Sequence, residues 1–100
     1  FDRGVFTQPL ESINWLDRGG VFQLVWGRDY REENARAFAE LMDAQVIING
    51  HEPCPEGHGV PNTVQVILDC CSEKAGFVIL STDRPWTQAD VVARIGRLGA

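Results

Sequence analysis

Long apolar runs are missing from this sequence. Stretches such as 46–48 and 66–68 fall far below the ~20 residues that a membrane helix requires, so no segment can cross a bilayer as a helix. Basic charge is also scarce: nine Lys and Arg against fourteen Asp and Glu leave a net charge of −5. Such a balance opposes a phosphodiester backbone except at a local basic pocket and argues against nonspecific nucleic-acid binding. Cysteines number three, and two are the adjacent Cys70 and Cys71, between which a bridge is strained. Reduced thiols and a cytoplasmic setting are the expectation. No basic start followed by an apolar stretch and a small-residue cleavage site directs export.

Repeats, Gly/Ser tracts and charged linkers are equally absent, so residues 1–100 read as a single unit. Several catalytic signatures are lacking too. No G-x-S-x-G elbow supports a serine hydrolase, and neither a P-loop nor a dinucleotide-binding glycine fingerprint is present. What remains is ordinary globular composition, 44% hydrophobic and 23% charged, in a chain of 100 residues. A domain of that length buries roughly two-thirds of its unfolded surface.

The first thirty residues are irregular, because Gly4, Pro9, Gly19, Gly20 and Gly27 interrupt each apolar run. A short helix over 9–16 and a short buried strand or helical turn over 21–26 are expected there. Ala35, Phe38, Leu41 and Met42 then trace one helical face opposite Arg36, Glu40 and Asp43, which predicts a helix over 32–43. The β-branched run at 45–49 reads as a strand ending at Gly50, followed by a Pro- and Gly-rich loop over 53–61. Two further runs, TVQVILD at 63–69 and FVILS at 77–81, are separated by a turn and predict a hairpin. Thr87 with Asp90 three residues later forms a capping-box pattern, and Val91, Val92, Ile95 and Leu98 line one face of a closing helix. Interleaved helices and strands favour an α/β layered arrangement with a mixed sheet over an all-β sandwich.

Few residues combine reactive chemistry with a telling position. His51 follows the strand-ending Gly50, where an imidazole can project into the crevice in which α/β proteins bind ligands. A loop histidine hydrogen-bonded to backbone is the plainer alternative. Arg28, behind Trp26 and Gly27, offers a planar guanidinium able to grip phosphate oxygens in bidentate fashion, or a surface pair with Glu32 or Glu33. His51, Cys54, His58, Cys70 and Cys71 also contain the donor types of a zinc site, though the H-x2-C-x3-H spacing is irregular. Cys54 with His51 or His58 is a further, cysteine-nucleophile alternative.

Taken in order, Leu24-Val25-Trp26-Gly27-Arg28, a helix, Val46-Ile47-Ile48-Asn49-Gly50-His51-Glu52-Pro53, and Val66-Ile67-Leu68-Asp69 resemble the C-terminal part of the calcineurin-like metallophosphoesterases. The bacterial serine/threonine phosphoprotein phosphatase branch is the nearest likeness, over residues 21–82. The resemblance implies a partial layered αββα fold, a mixed sheet flanked by helices. It also implies two divalent metal ions, manganese, iron or zinc, whose bridging hydroxide attacks phosphorus in line. His51 then matches the histidine of the last metal-binding motif and Arg28 the phosphate-holding arginine. Asn49, Glu52 and Asp69 become positions that support the metal-binding residues or shape the loop, and the loop 53–62 with His58 borders the substrate groove. The implied substrate is a phosphorylated protein or a small phosphomonoester.

The family's earlier motifs GDxHG, GDxxDRG and GNHE are incomplete here, although 1–4 and 16–19 echo a DRG. Asp2 and Asp17 are accordingly assigned no ligand role, and no general acid is identified. The expectation is a C-terminal segment of a longer phosphatase, inactive when isolated. A noncatalytic degenerate module, docking a protein partner at an open sheet edge, is the competing expectation.

Overall fold

A computed structural model describes residues 1–14 and 19–99. The expected helix after Glu32 forms as α2, Glu32–Leu41. Glu32 and Glu33 sit in its first turn, where carboxylates complement the helix dipole. Arg36 closes an i,i+4 pair onto Glu32 at 2.6 Å. The buried stripe is narrower than the sequence predicts. It runs through Ala35 and Ala39, while Leu41 and Met42 stay 41% and 42% exposed. The helix stops at Leu41 and the chain turns back through Asp43, at φ 51°, before those side chains can reach the core. Phe38 packs instead edge-on against Phe1, ring centres 5.2 Å apart.

From that turn the chain enters β1, Ile47–Asn49, which lies parallel to β3, Gln65–Leu68, with Ile48 opposite Val66. The other edge of β3 is taken by β2, His58–Gly59, which runs antiparallel. Here the structure departs from the sequence expectation twice. The stretch read as pure loop contributes a strand, and the hairpin between 63–69 and 77–81 does not form. The second run pairs only through β4, Gly76–Phe77, and its partner is β5, Gly96–Arg97, in a separate two-stranded sheet.

The cause lies at a backbone crossing. Gly57, at φ 84°, passes so near residue 74 that a Cβ there would sit 1.9 Å from the Lys74 carbonyl oxygen. A Cβ on Gly76 would in turn sit 2.5 Å from the Gly57 oxygen. Only two glycines allow this approach. It is closed by Asp69 N–H donating to Gly57 O at 3.0 Å and Gly76 N–H donating to Asp69 O at 2.9 Å. The crossing places 58–59 in the slot beside β3 that a hairpin partner would have occupied.

The closing helix α3, Gln88–Ala93, starts at the expected capping box: the Thr87 hydroxyl accepts from Asp90 N–H at 3.2 Å and Asp90 accepts from Thr87 N–H at 3.3 Å. Val91 is fully buried, and α3 packs on β3. The helix ends earlier than the apolar spacing suggests. Gly96 and Arg97 pair with β4 instead, and Leu98 donates its N–H to Ala75 O while its side chain stays 56% exposed.

Near the start, α1 spans Gly20–Trp26, resolving the strand-or-helix ambiguity for 21–26 in favour of helix. The helix expected over 9–16 is reduced to a 3-10 turn at Leu10–Ser12, its last two positions and Asp17 lying outside the described residues. Both element types share one architecture, so the chain is α/β with a mixed sheet.

Candidate functional site

Parallel strands have an end to which ligands come, the carboxyl end, because the connections that leave it open a crevice. In this molecule β1 reaches that end at Asn49 and hands the chain to Gly50 and His51. His51 adopts φ 63°, a left-handed backbone conformation that non-glycine residues seldom take. Its side chain is exposed, and among the described residues no hydrogen bond holds the ring to backbone, contrary to the plainer reading of a tethered loop histidine.

A cavity of about 560 Å³ lies against this turn, walled by Asn49, His51 and Glu52 on one side and by Arg28, Tyr30 and Asn34 on another. Leu24 and Phe38 add apolar surface. The fold therefore brings Arg28 and His51, which belong to different elements, to one concave site. Arg28 is fixed by its own turn, donating through one terminal nitrogen to the carbonyls of Trp26 and Gly27, each at 3.1 Å. Its Nε meets Glu52 Oε2 at 3.4 Å. The pairings expected with Glu32 or Glu33 are absent, because Glu32 is engaged by Arg36 and Thr63 and Glu33 by Arg31. Thr63 and Arg36 hold the Glu32 carboxyl down at about 2.

The remaining candidates separate. Asn49 lines the cavity and accepts from Gln65 Nε2 at 2.9 Å. Asp69 lies elsewhere, 3% exposed, with Oδ2 accepting from Cys54 N–H and Oδ1 from Cys71 N–H, both at 2.8 Å. Those two backbone donors keep its carboxyl below the usual range and tie the ends of two loops together. His58 sits on β2 opposite Leu68, and neither it nor the loop 53–62 walls the cavity, so the expected groove border is not formed there among the described residues.

Cysteine chemistry fares poorly. Cys54 is buried, and burial together with the Asp69 and Glu52 carboxylates raises its thiol away from the thiolate that a nucleophile needs. Cys70 and Cys71 are free and exposed. Among the described residues no three His, Cys, Asp or Glu side chains gather as a cation site requires, and His51, Cys54, His58, Cys70 and Cys71 are not brought together as one. For a two-ion centre the donor set here is one imidazole, with the neighbouring carboxylate of Glu52 committed to Arg28. That fits one corner of such a centre.

Wall residues to which the sequence did not point include Tyr30 and Gln65. Tyr30 carries a buried hydroxyl without a hydrogen-bond partner among the described residues, and Gln65 reaches Asn49 across the sheet. Nearness to Arg28 in the chain was a usable signal for Tyr30. Gln65 had none, since its place opposite Ile47 is a matter of register. Compared with family models, curated proteins and solved structures, the chain matches none.

Proposed function

We propose that this chain carries the phosphate-binding side of a metal-dependent phosphomonoesterase, with Arg28 gripping the phosphoryl oxygens and His51 serving as a metal ligand. The observation that supports it is the convergence of Arg28 and His51 on one cavity at the carboxyl end of a parallel strand. A guanidinium pinned by two carbonyls is already oriented before an anion arrives, which reduces the ordering cost of binding. Glu52 occupies the guanidinium in the meantime and prevents an unpaired charge. His51 projects from an exposed, conformationally constrained turn, the placement a ligand imidazole needs. In this reading the fold is part of a layered αββα phosphoesterase. The substrate is a phosphorylated protein or small phosphomonoester, and manganese, iron or zinc, held in part by His51, would supply Lewis acidity there.

The test is hydrolysis of p-nitrophenyl phosphate by the full-length gene product with and without manganese. Metal-dependent turnover that His51→Ala and Arg28→Ala each lower by two orders of magnitude or more is the expected result. Turnover unchanged in both variants would overturn the assignment. A second reading, a noncatalytic partner-binding module, draws on the open edge of β1, where Ile48 is 39% exposed. Absence of any metal-dependent turnover in the full-length protein is the result that favours it.

A further inference from the structure

Side-chain amides are ambiguous partners, because each can present an oxygen or an NH2, and the direction of a chain of them is settled only where it meets a group that cannot reverse. One such chain crosses the sheet beneath the cavity. It begins at the backbone N–H of Val64, a donor only, which reaches Asn62 Oδ1 at 3.1 Å. The Asn62 NH2 must then face outward, and it donates to Gln65 Oε1 at 2.9 Å and to the Tyr30 carbonyl at 3.2 Å. With its oxygen taken, Gln65 donates through Nε2 to Asn49 Oδ1 at 2.9 Å. The main chain of Gln65 is itself held by Gln88 Nε2, from α3, at 2.8 Å from its carbonyl oxygen.

Every link points the same way, so the last member has its oxygen committed and its NH2 unspent. Asn49 Nδ2 has no acceptor among the described residues, and it is not a buried orphan: the buried side-chain atom without a partner among them is Tyr30 Oη. Strand alternation puts Ile47 and Asn49 on one face of β1 and the exposed Ile48 on the other. Both Ile47 and Asn49 wall the cavity that holds Arg28 and His51.

We infer that Asn49 is a direct hydrogen-bond donor to a phosphoryl oxygen of the bound substrate, held in that orientation by Asn62 and Gln65 as positioning residues. This role rests on the phosphomonoester reading above and replaces the supporting role that the sequence suggests for Asn49. Arg28 offers its fork to two oxygens of a tetrahedral anion, and Asn49 supplies a neutral donor to another. An uncharged donor is suited to a wall where Glu52 already stands beside the cation. The fixed direction matters, since a freely flipping amide would present its oxygen to the anion part of the time.

The experiment measures the affinity of the full-length protein for inorganic phosphate, by inhibition of p-nitrophenyl phosphate hydrolysis and by calorimetry. Asn49→Ala is expected to weaken phosphate roughly tenfold, the worth of one hydrogen bond to a charged acceptor. Asn49→Asp keeps an acceptor for Gln65, and so the fold, while removing the donor; it is expected to weaken phosphate at least as much with an unchanged melting temperature. Gln65→Leu should weaken phosphate about threefold in the native background and have no further effect when combined with Asn49→Ala, the signature of action through Asn49. If Arg28→Ala weakens phosphate but both Asn49 variants bind it normally, Asn49 is not a donor and the phosphoesterase reading stands. If Arg28→Ala also leaves phosphate binding untouched, the reading fails and the role of Asn49 fails with it.

Discussion

Glu52 and Asp69 are both carboxylates that the resemblance singles out, and they do opposite things. Glu52 faces a cation on the cavity wall and competes with any anion for Arg28. Since both partners are partly exposed, their attraction is worth at most about 1 kcal/mol. Glu52→Gln is therefore expected to tighten inorganic phosphate binding by about two- to fivefold, read as a lower inhibition constant. Asp69 faces two backbone N–H groups in the interior, one on each carboxylate oxygen. Its carboxyl titrates below the ordinary value in the folded chain, so its contribution to stability is complete above about pH 4 and is lost as the pH falls through the folded value. Asp69→Asn should lower the melting temperature at pH 7 and flatten its decline below pH 4, as thermal unfolding at several pH values would show.

Among the elements, the crossing at Gly57 decides which strand neighbours which. Its left-handed backbone and the Lys74 carbonyl both exclude a side chain. Gly57→Ala is expected to cost about 2 kcal/mol or more, since it adds backbone strain to a contact that must give way. Chemical denaturation checks this, and a cost below about 0.5 kcal/mol would remove the crossing as the cause of the strand order. The amide chain is the other device of this scale. It runs from the approach to β3 through β3 to β1, with Gln88 of α3 holding the Gln65 main chain, and it converts the position of one backbone N–H into the orientation of a side chain on the cavity wall.

For the whole molecule, the buried apolar set among the described residues is small: Ala35, Ala39, Cys54, Val66, Ile67, Ala75 and Val91. Val66 and Val91 are the two completely enclosed larger side chains. Trimming Val91 to Ala removes two buried carbon groups at about 0.8 kcal/mol each, with a cavity term added, and is expected to cost roughly 2 kcal/mol. A cooperative denaturant transition with a lower midpoint and an unchanged slope would show that α3 and the sheet share one core. A separate early transition for α3 would show that they do not.

The sequence by itself determined the local features: the helix beginning at Glu32, the strand ending at Asn49, the apolar run of β3, and the capping box at Thr87. Each follows from side-chain periodicity or from a hydrogen bond between residues three apart, and such signals need no knowledge of distant chain. It also singled out Arg28 and His51, by chemistry and by place beside a helix and a strand end. Only the tertiary structure decided that these two share a cavity, that β2 displaces the expected hairpin partner, and that Leu41, Met42 and Leu98 remain exposed. The same holds for Gln65 and Asn62, whose amides act through register and through partners on other elements. Strand pairing depends on where two backbones can pass, and at Gly57 and Gly76 that is a clearance between atoms far apart in sequence, which hydrophobic spacing does not encode.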